Sequence, residues 1–119
     1  MRVALTGGSG FIGSAIAREL NTAGNKTTAL VRSTSWREHI EPFVDRFVVG
    51  DLADESIWPE LLDGAECVIH CGVDWAPLKS GDQAAHLKHN LLGSIRLLQA
   101  AAPRQFVFIS TIAVHHDMR

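Results

Sequence analysis

The chain has 119 residues, enough for one domain with a single hydrophobic core, and we take residues 1–119 as that domain. Its net charge of -2 gives no electrostatic reason to expect a nucleic acid or an anionic membrane surface as a partner. No apolar run is long enough to span a bilayer, and the first residues lack the pattern of a signal peptide, so we expect a cytoplasmic protein.

Short β-rich runs alternate with longer segments of helical periodicity, which is typical of a parallel sheet with crossover helices. The predicted strands, in chain order, are Val3 to Thr6, Lys26 to Val31, Arg46 to Val49, Glu66 to Cys71 and Gln105 to Ser110. Right-handed crossovers and a switch point beside the first strand predict a three-layer α/β/α Rossmann fold with the sheet order 3-2-1-4-5.

Two helices are predicted in the first half of the chain. Residues Phe11 to Asn21 form the first, with Ile12, Ile16 and Leu20 along one face, and Gly24 ends it. Ser35 and Glu38 have the spacing of a capping box, so a short helix should open at Ser35, its length limited by Pro42.

Two further helices are predicted in the second half. Asp54 caps a helix that reaches Leu62, with Gly64 just beyond its end. After a loop from Trp75 to Gly81, Asp82 caps a long helix through Ala101. One face of this helix carries Leu87, Leu91, Ile95, Leu98 and Ala102.

Cys67 and Cys71 lie in one apolar run and, if it is a strand, point to the same face. Two such residues are too far apart for a disulfide, so we expect small buried thiols with neither a redox role nor a metal.

A glycine-rich segment from Thr6 to Gly13 lies where the first strand ends and the first helix opens. A diphosphate needs free backbone N–H groups at a helix N-terminus, where the helix dipole also favours anions. Gly7 suits the tight turn, Gly10 the close approach of phosphates, and Gly13 the packing of helix against strand. The alternative is a glycine-rich turn without a ligand. A Walker-type phosphate loop is excluded because no Lys-Ser/Thr pair follows the glycines.

The end of the second strand bears on which dinucleotide is preferred. An acidic residue often stands there in NAD sites, whereas this chain has Val31 followed by Arg32. A guanidinium can pair with a 2′-phosphate, so Arg32 favours NADP over NAD. Arg32 could instead be a solvated loop residue, and Arg2 or Arg37 could take the same role.

Several segments, in the correct order, resemble the extended short-chain dehydrogenase/reductase family of NAD(P)-dependent epimerases, dehydratases and dihydroflavonol-reductase-like enzymes. Residues 6–13 match TGxxGxxG, residues 50–54 look like GDLxD, and residues 68–72 resemble the start of VIHLAA. Residues 90–101 are similar to NxxGTxxLLxAA, and residues 106–114 resemble FVxxSSxAVYG. None of these segments specifies a substrate.

The resemblance implies a cofactor site, a dinucleotide partner and an unknown small-molecule substrate. Asp51 would bond the adenine amino group and Leu52 would flank the ring. The backbone of Cys71 and Gly72 would pass the cofactor. The expected cofactor-binding residues are therefore Gly7, Gly10, Phe11, Ile12, Gly13, Arg32, Asp51, Leu52, Cys71 and Gly72.

The resemblance also implies a catalytic hydroxyl at Thr111, which would hydrogen-bond the substrate oxygen, with support from Asn90. The family's proton-transferring tyrosine and its lysine, spaced YxxxK, have no counterpart, because the sequence contains no tyrosine. His115 and His116 stand where Tyr-Gly is expected. They could be replacement acid/base groups, but we interpret them as exposed residues that bind no metal, since adjacent side chains on extended backbone point apart.

We expect the chain to be the cofactor-binding portion of such an enzyme, truncated before the catalytic YxxxK region and the substrate domain, and inactive alone. The alternatives are a non-catalytic NADP-binding sensor or regulator and an interaction module that uses the long helix. An open edge at the fifth strand and apolar residues on that helix favour a homodimer over a monomer.

Overall fold

The computed structural model describes residues 1–52, 54–71, 81–84 and 88–109, with backbone alone at 88 and 89. Five parallel strands form one sheet in the order β3-β2-β1-β4-β5, which confirms the predicted topology. The strands are β1 (Arg2–Thr6), β2 (Lys26–Val31), β3 (Arg46–Val49), β4 (Cys67–His70) and β5 (Gln105–Phe108).

Within the described residues, three α-helices with defined bounds lie between the strands, with shorter helical turns beside them. The helices are α1 (Phe11–Thr22), α2 (Trp58–Leu62) and α3 (Gly93–Ala101). The shorter turns are two 3-10 turns, Glu41–Phe43 and Glu55–Ile57, and a π-helical turn, Lys88–Leu92, which leads directly into α3.

The core forms because alternate residues of each strand point to opposite faces of the sheet. One face is covered by α2 and α3 and holds the main cluster of buried apolar side chains. The members of that cluster are Ala4, Leu30, Val48, Trp58, Leu61, Leu62, Val68, Leu97 and Ala101. Helix α1 packs on β1 and β2. Strand order, register and helix placement together give the predicted three layers.

The apolar row of α1, Ile12, Ile16 and Leu20, is not its buried side. Gly13 and Ala17 are its buried residues, whereas Ile16 and Leu20 are only half-buried and Ile12 is 50% exposed. Small residues line the contact because the helix lies very close to the turn after β1. The row of large apolar side chains therefore lies beside the residues that make the contact, Gly13 and Ala17.

The apolar row of the long helix is not its buried side. Gly93, Leu97 and Ala101 are the buried residues of α3, and the expected row is exposed at Leu91, Ile95, Leu98 and Ala102. Leu87 lies outside the described residues. The π-helical turn changes the angular spacing of side chains just before α3, and the small residues allow close packing on the sheet. A pattern of period 3.6 anticipates neither effect.

No helix opens at Ser35, so the predicted capping box is wrong. The Ser35 hydroxyl instead accepts the Arg32 N–H at 3.2 Å, and the Ser35 N–H donates to the Arg32 carbonyl at 3.0 Å. These two bonds close a turn that competes with a helix start. Helical geometry begins only at the 3-10 turn Glu41–Phe43, which contains Pro42.

The predicted cap at Asp54 is confirmed. Its carboxylate accepts the Ser56 N–H at 3.0 Å and the Ser56 hydroxyl at 2.6 Å, and both bonds hold the pKa of Asp54 below its usual value. Gly64 follows α2 with a φ of +69°, as expected for a helix stop. Residues 83–84 and 88–101 are helical, and the predicted loop from Trp75 lies outside the described residues up to Gly81.

None of the helices described is both long and apolar enough to cross a membrane.

Candidate functional site

The glycine segment lies at the carboxyl edge of the sheet, where the chain changes direction across it. Strand β1 is central, with β2 on one side and β4 on the other, and Thr6 pairs with both Leu30 and His70. Open parallel sheets bind ligands in the crevice at such a switch point. The ends of β2 and β3 lie along the same edge, because Val31 pairs with Val49.

Gly13 can be nothing but glycine in this backbone. A Cβ at Gly13 would lie 1.9 Å from the carbonyl oxygen of Gly7 and 2.9 Å from the Cα of Gly8. Gly7 itself has a φ of +69°, in the left-handed region that favours glycine. The prediction that Gly13 permits close packing is confirmed, but the contact at Gly13 itself is with the turn at Gly7 and Gly8 rather than with the strand.

Gly10 differs from Gly13, because a Cβ at Gly10 meets only the Gly7 carbonyl oxygen, at an ordinary contact distance of 3.4 Å. Gly10 is the N-cap residue of α1 and has no side chain with which to cap it. It is exposed, so the fold leaves the space in front of it open. The fold alone therefore does not require glycine at this position.

The N-terminus of α1 is suited to an anion. The first N–H groups of a helix have no acceptor within the helix, and the helix dipole adds positive potential there. The first turn of α1 contains no acidic residue that would offset this potential. Phe11 is 93% exposed and Ile12 50% exposed, so two large apolar side chains flank the same opening.

A histidine from another part of the chain braces the glycine turn. The Nε2 of His39 lies 3.1 Å from the carbonyl oxygen of Ser9 and donates to it. The ring of Trp36, which is 68% exposed, lies 4.8 Å from the His39 ring between centroids. The segment after β2 is thereby held against the turn after β1.

The three arginines considered for a 2′-phosphate lie in different places. Arg32 directly follows β2, at the carboxyl edge, and is exposed. Arg2 begins β1 at the opposite end of the sheet, with its guanidinium beside Gly64. Arg37 has its guanidinium 5.1 Å from the centroid of the Phe47 ring. Only Arg32 combines the carboxyl edge with a position directly after β2.

The residues after β3 form a tight turn at the same edge. Asp51 is exposed and its carbonyl accepts the Asp54 N–H at 2.9 Å. Leu52 is half-buried and packs against the core, while its carbonyl accepts the Trp58 indole N–H at 3.3 Å. The turn thus presents the Asp51 side chain outward and fixes Leu52 beside it.

A buried group of polar side chains joins β1, β4 and the helix carrying Asn90. The Oγ1 of Thr6 lies 2.6 Å from Nδ1 of His70, and Nε2 of His70 lies 2.7 Å from the Oγ of Ser94. Ser94 donates to the Asn90 carbonyl. The Cys71 N–H donates to the Thr6 hydroxyl at 3.1 Å.

Burial fixes the protonation of two groups beside this network. Desolvation lowers the pKa of His70 to about 4 and raises the pKa of the Cys71 thiol to about 11. His70 is therefore neutral, and the thiol is protonated and donates to the Thr6 carbonyl at 2.8 Å. Cys67 and Cys71 are both free, and Cys67 is buried as predicted whereas Cys71 is half-buried. The pKa of Cys67 is also raised by burial, so neither thiol is poised as a nucleophile.

Some predicted site residues lie outside the described part of the chain. These are Gly72 and Thr111, together with the histidines His115 and His116. Asn90 is described, and it lies within the π-helical turn that precedes α3. Within the described ranges, no three His, Cys, Asp or Glu side chains gather into a metal-binding group.

A cleft of about 510 Å³ lies elsewhere, between α2 and α3. Its lining includes Leu62, Gly64 and Arg104, near the amino ends of the strands. It is separate from the glycine turn, which lies at the carboxyl ends.

Sequence reasoning missed the roles of Thr6, His39, His70 and Ser94. Thr6 and His70 occur in strands where a buried apolar residue is the default expectation, and their bond joins residues 64 positions apart. A polar side chain inside an apolar run was the available signal, since such a group must find a partner. His39 carries no comparable signal.

Comparisons with known proteins agree with this geometry. The NAD dependent epimerase/dehydratase family matches residues 3–118. A UDP-glucose 4-epimerase of Klebsiella pneumoniae is 31% identical over 134 residues, covering 98% of this chain and 94% of that relative. A dTDP-glucose 4,6-dehydratase of Streptomyces niveus is 30% identical over 131 residues, covering 97% of this chain.

A solved structure has the same architecture. The UDP-glucose 4-epimerase of Stenotrophomonas maltophila, with bound NAD and formylated UDP-arabinopyranose, superposes with a TM-score of 0.80 at 26% identity, over 97% of this chain. The chain spans 38% of that protein and 39% of the Streptomyces dehydratase. Because the family match extends over almost the whole chain, this protein belongs to the NAD dependent epimerase/dehydratase family.

Proposed function

We propose that this chain binds a nicotinamide dinucleotide, with the diphosphate at the N-terminus of α1. The observation that carries the proposal is the contrast between two glycines. Gly13 is required by the fold, whereas Gly10 borders open space in front of uncapped backbone donors. A diphosphate explains why no side chain stands at Gly10, since any side chain there would occupy the place of the phosphates.

The remaining residues along the edge fit the other parts of the dinucleotide. Asp51 and Leu52 would hold the adenine, since they follow β3 at the same edge as the glycine turn. The backbone of Cys71 and Gly72 would pass the nicotinamide half. When bound, the nicotinamide supplies hydride transfer, and this chain's residues bind and orient it.

We propose that NADP is preferred over NAD. Arg32 is exposed directly after β2, where a ribose 2′-phosphate would lie, and no carboxylate precedes it at Val31. Arg2 is excluded by its position at the far end of the sheet, and Arg37 is placed over Phe47. A solved relative carries bound NAD, which supports a dinucleotide site in this chain, and Arg32 is the feature that would shift the preference toward NADP.

We propose that the chain does not catalyse the family's reaction by itself. Thr111 and Asn90 would contact or support the substrate, but the sequence has no tyrosine to transfer a proton. The substrate domain is expected in the portion of the longer relatives that this chain does not cover. The sugar nucleotide in the Stenotrophomonas structure suggests the substrate class for the complete enzyme. A non-catalytic NADP-binding regulator is the alternative that the missing tyrosine also fits.

We further propose that the chain forms a homodimer. Four apolar side chains of the long helix are 43% to 54% exposed: Leu91, Leu92, Ile95 and Leu98. The helix that carries Ile95 and Leu98 packs on β5 through its other side. Large apolar side chains exposed together on one helical segment favour association.

Isothermal calorimetry with NADP, NAD and AMP tests the binding proposal. We expect both dinucleotides to bind, with NADP tighter and AMP much weaker, because AMP lacks the diphosphate bridge. A chain that binds neither dinucleotide at millimolar concentration would overturn the proposal. With dinucleotide present, added UDP-glucose should remain unchanged when the sugar nucleotide is followed by chromatography, whereas its conversion to another sugar nucleotide would overturn the proposed inactivity.

A further inference from the structure

The buried hydrogen bonds around His70 have only one consistent direction. A carbonyl can only accept, so the Ser94 hydroxyl donates to Asn90, and the single Ser94 proton is used. His70 must then donate to Ser94 from Nε2. Because a neutral imidazole has one N–H, Nδ1 is an acceptor and takes the Thr6 proton.

The other end of the chain of bonds agrees with this direction. A backbone N–H can only donate, and the Cys71 N–H donates to the Thr6 hydroxyl. Every proton in the series therefore points from the end of β4, through Thr6 and His70, toward Asn90. His70 is 1% exposed and Thr6 is 1% exposed, so water does not compete for these bonds.

The series ends on a helical segment of unusual geometry. The residues Lys88–Leu92 form a π-helical turn, and Ser94 binds back to Asn90, four residues earlier. Turns of this kind are rare, and they frequently occur at functional sites. His70, at the end of β4, reaches this segment through Ser94, which is the second residue of α3 and lies 24 positions later in the sequence.

Apolar side chains would fill the same space without the free-energy cost of burying polar groups. His70 lies among aromatic rings, 5.5 Å from Phe108 and 6.2 Å from Phe106 between centroids. A buried imidazole there has to be fully paired, or its unpaired groups destabilise the fold. The polar series therefore calls for a role beyond filling space, and what it joins is the edge of the cofactor site and the turn carrying Asn90.

We propose that His70 and Ser94 are positioning residues that lock the Lys88–Leu92 turn, and Asn90 within it, onto the ends of β1 and β4. This proposal rests on the proposed function only for the role of Asn90, which would support the substrate. Dinucleotide bound against the turn after Thr6 and against Cys71 is then coupled to Asn90 through fixed hydrogen bonds. No charge moves along the series, because His70 stays a neutral Nε2-H imidazole.

The first test reads the tautomer directly. Nitrogen NMR of the full chain labelled in histidine should show His70 protonated at Nε2 and unprotonated at Nδ1 at neutral pH. The Nδ1-H tautomer, or an imidazolium, would overturn the proposal. This measurement requires no cofactor.

The second test uses matched variants at Ser94, which is a milder site than His70. Ser94→Ala removes the hydroxyl, and Ser94→Thr keeps it. We expect amide hydrogen exchange in residues 88–94 to be about tenfold faster in the alanine variant, the effect of losing one hydrogen bond, and near the wild-type rate in the threonine variant. Exchange in β1 and β2 should not change. Equal rates in all three proteins, or an acceleration spread evenly over the sheet, would overturn the positioning role.

Adding NADP or NAD to the same three proteins separates this proposal from the proposed function. Slower exchange at residues 88–94 on binding, in the wild type and the threonine variant but not in the alanine variant, supports the coupling. Binding without that protection in the wild type overturns the coupling while leaving the cofactor site intact. Failure of the wild type to bind overturns the proposed function, and the exchange rates without cofactor still decide the positioning role.

Discussion

Thr6 and His70 end neighbouring parallel strands and share a hydrogen bond of 2.6 Å between Oγ1 and Nδ1. The same Thr6 hydroxyl accepts the Cys71 N–H at 3.1 Å. A single side chain, one residue before the glycine turn, thus holds two polar groups of the adjacent strand. Gly7 and Cys71 are kept side by side at the edge where we place the cofactor.

Replacing Thr6 with Val keeps the shape of the side chain but removes the hydroxyl. The Cys71 N–H and the His70 Nδ1 would lose this partner in a buried region, so we expect the free energy of unfolding to fall by about 2–3 kcal/mol. Thr6→Ser, which keeps the hydroxyl, should lose about 1 kcal/mol or less. Urea denaturation of both variants measures the difference. Equal stability of the valine and serine variants would contradict this role for the hydroxyl.

Acid should destabilise the fold through His70. Its pKa is about 4 in the folded protein, below the ordinary value of 6.5, so the unfolded chain binds the proton more tightly. The stability it contributes is complete above about pH 6.5 and is lost as the pH falls toward 4. Between about pH 7 and about pH 5 we expect a loss of about 2 kcal/mol from this group.

The control for this pH dependence is His70→Asn, which removes the titrating group. Its unfolding free energy should fall less steeply over the same pH range than that of the wild type. Urea titrations at the two pH values give both slopes. Parallel slopes in the two proteins would show that His70 is not buried in its neutral form.

Arg32 is expected to set the preference for NADP. Arg32→Ala should weaken NADP binding by about tenfold or more, since it removes one charge-assisted contact to a 2′-phosphate, and should leave NAD binding almost unchanged. Arg37→Ala is the matched control, because its guanidinium lies over Phe47. Calorimetry with both dinucleotides decides the matter. If NAD binds the wild type tenfold tighter than NADP, the interpretation of Arg32 is wrong.

The sheet could be predicted from the sequence because its strands are short apolar runs separated by clear turn residues. The bounds of β2 and β3 match the predicted ones, and the strand order follows from the handedness of the crossovers. Helix faces were predicted less well. Gly13 packs through the absence of a side chain, and Gly93 is a buried residue of α3, and a search for large apolar residues overlooks both.

The glycines of the site could be predicted from the sequence, but the side chains that hold the site in place could not. The role of Gly13 follows from a pattern within eight residues, whereas the bond from His39 to Ser9 spans 30 positions and the bond from Thr6 to His70 spans 64. Long-range polar contacts depend on the three-dimensional arrangement of strands. The turn at Ser35 was missed because a serine hydroxyl can bind backward to Arg32 as readily as forward into a helix.

The exposed face of the long helix should carry the proposed dimer contact. Ile95→Glu places a charge in the middle of that face, where Ile95 is 43% exposed, so the fold should tolerate it while the interface should not. Light scattering at increasing concentration should show a dimer for the wild type and a monomer of 13.0 kDa for the variant. A wild-type chain that stays monomeric at high concentration would contradict the proposed dimer.

The binding of a diphosphate in front of Gly10 is the central claim, and calorimetry of Gly10→Ala with NADP and NAD tests it most directly. The added Cβ sits 3.4 Å from the Gly7 carbonyl oxygen, an ordinary contact, so the melting temperature should stay close to that of the wild type. The same methyl group intrudes where the phosphates approach the backbone, so affinity for both dinucleotides should fall by about tenfold or more. Ala15→Leu, which adds bulk at an exposed position of the same helix, should bind like the wild type. Equal binding of both dinucleotides by the wild type and a stable Gly10→Ala variant would contradict the account.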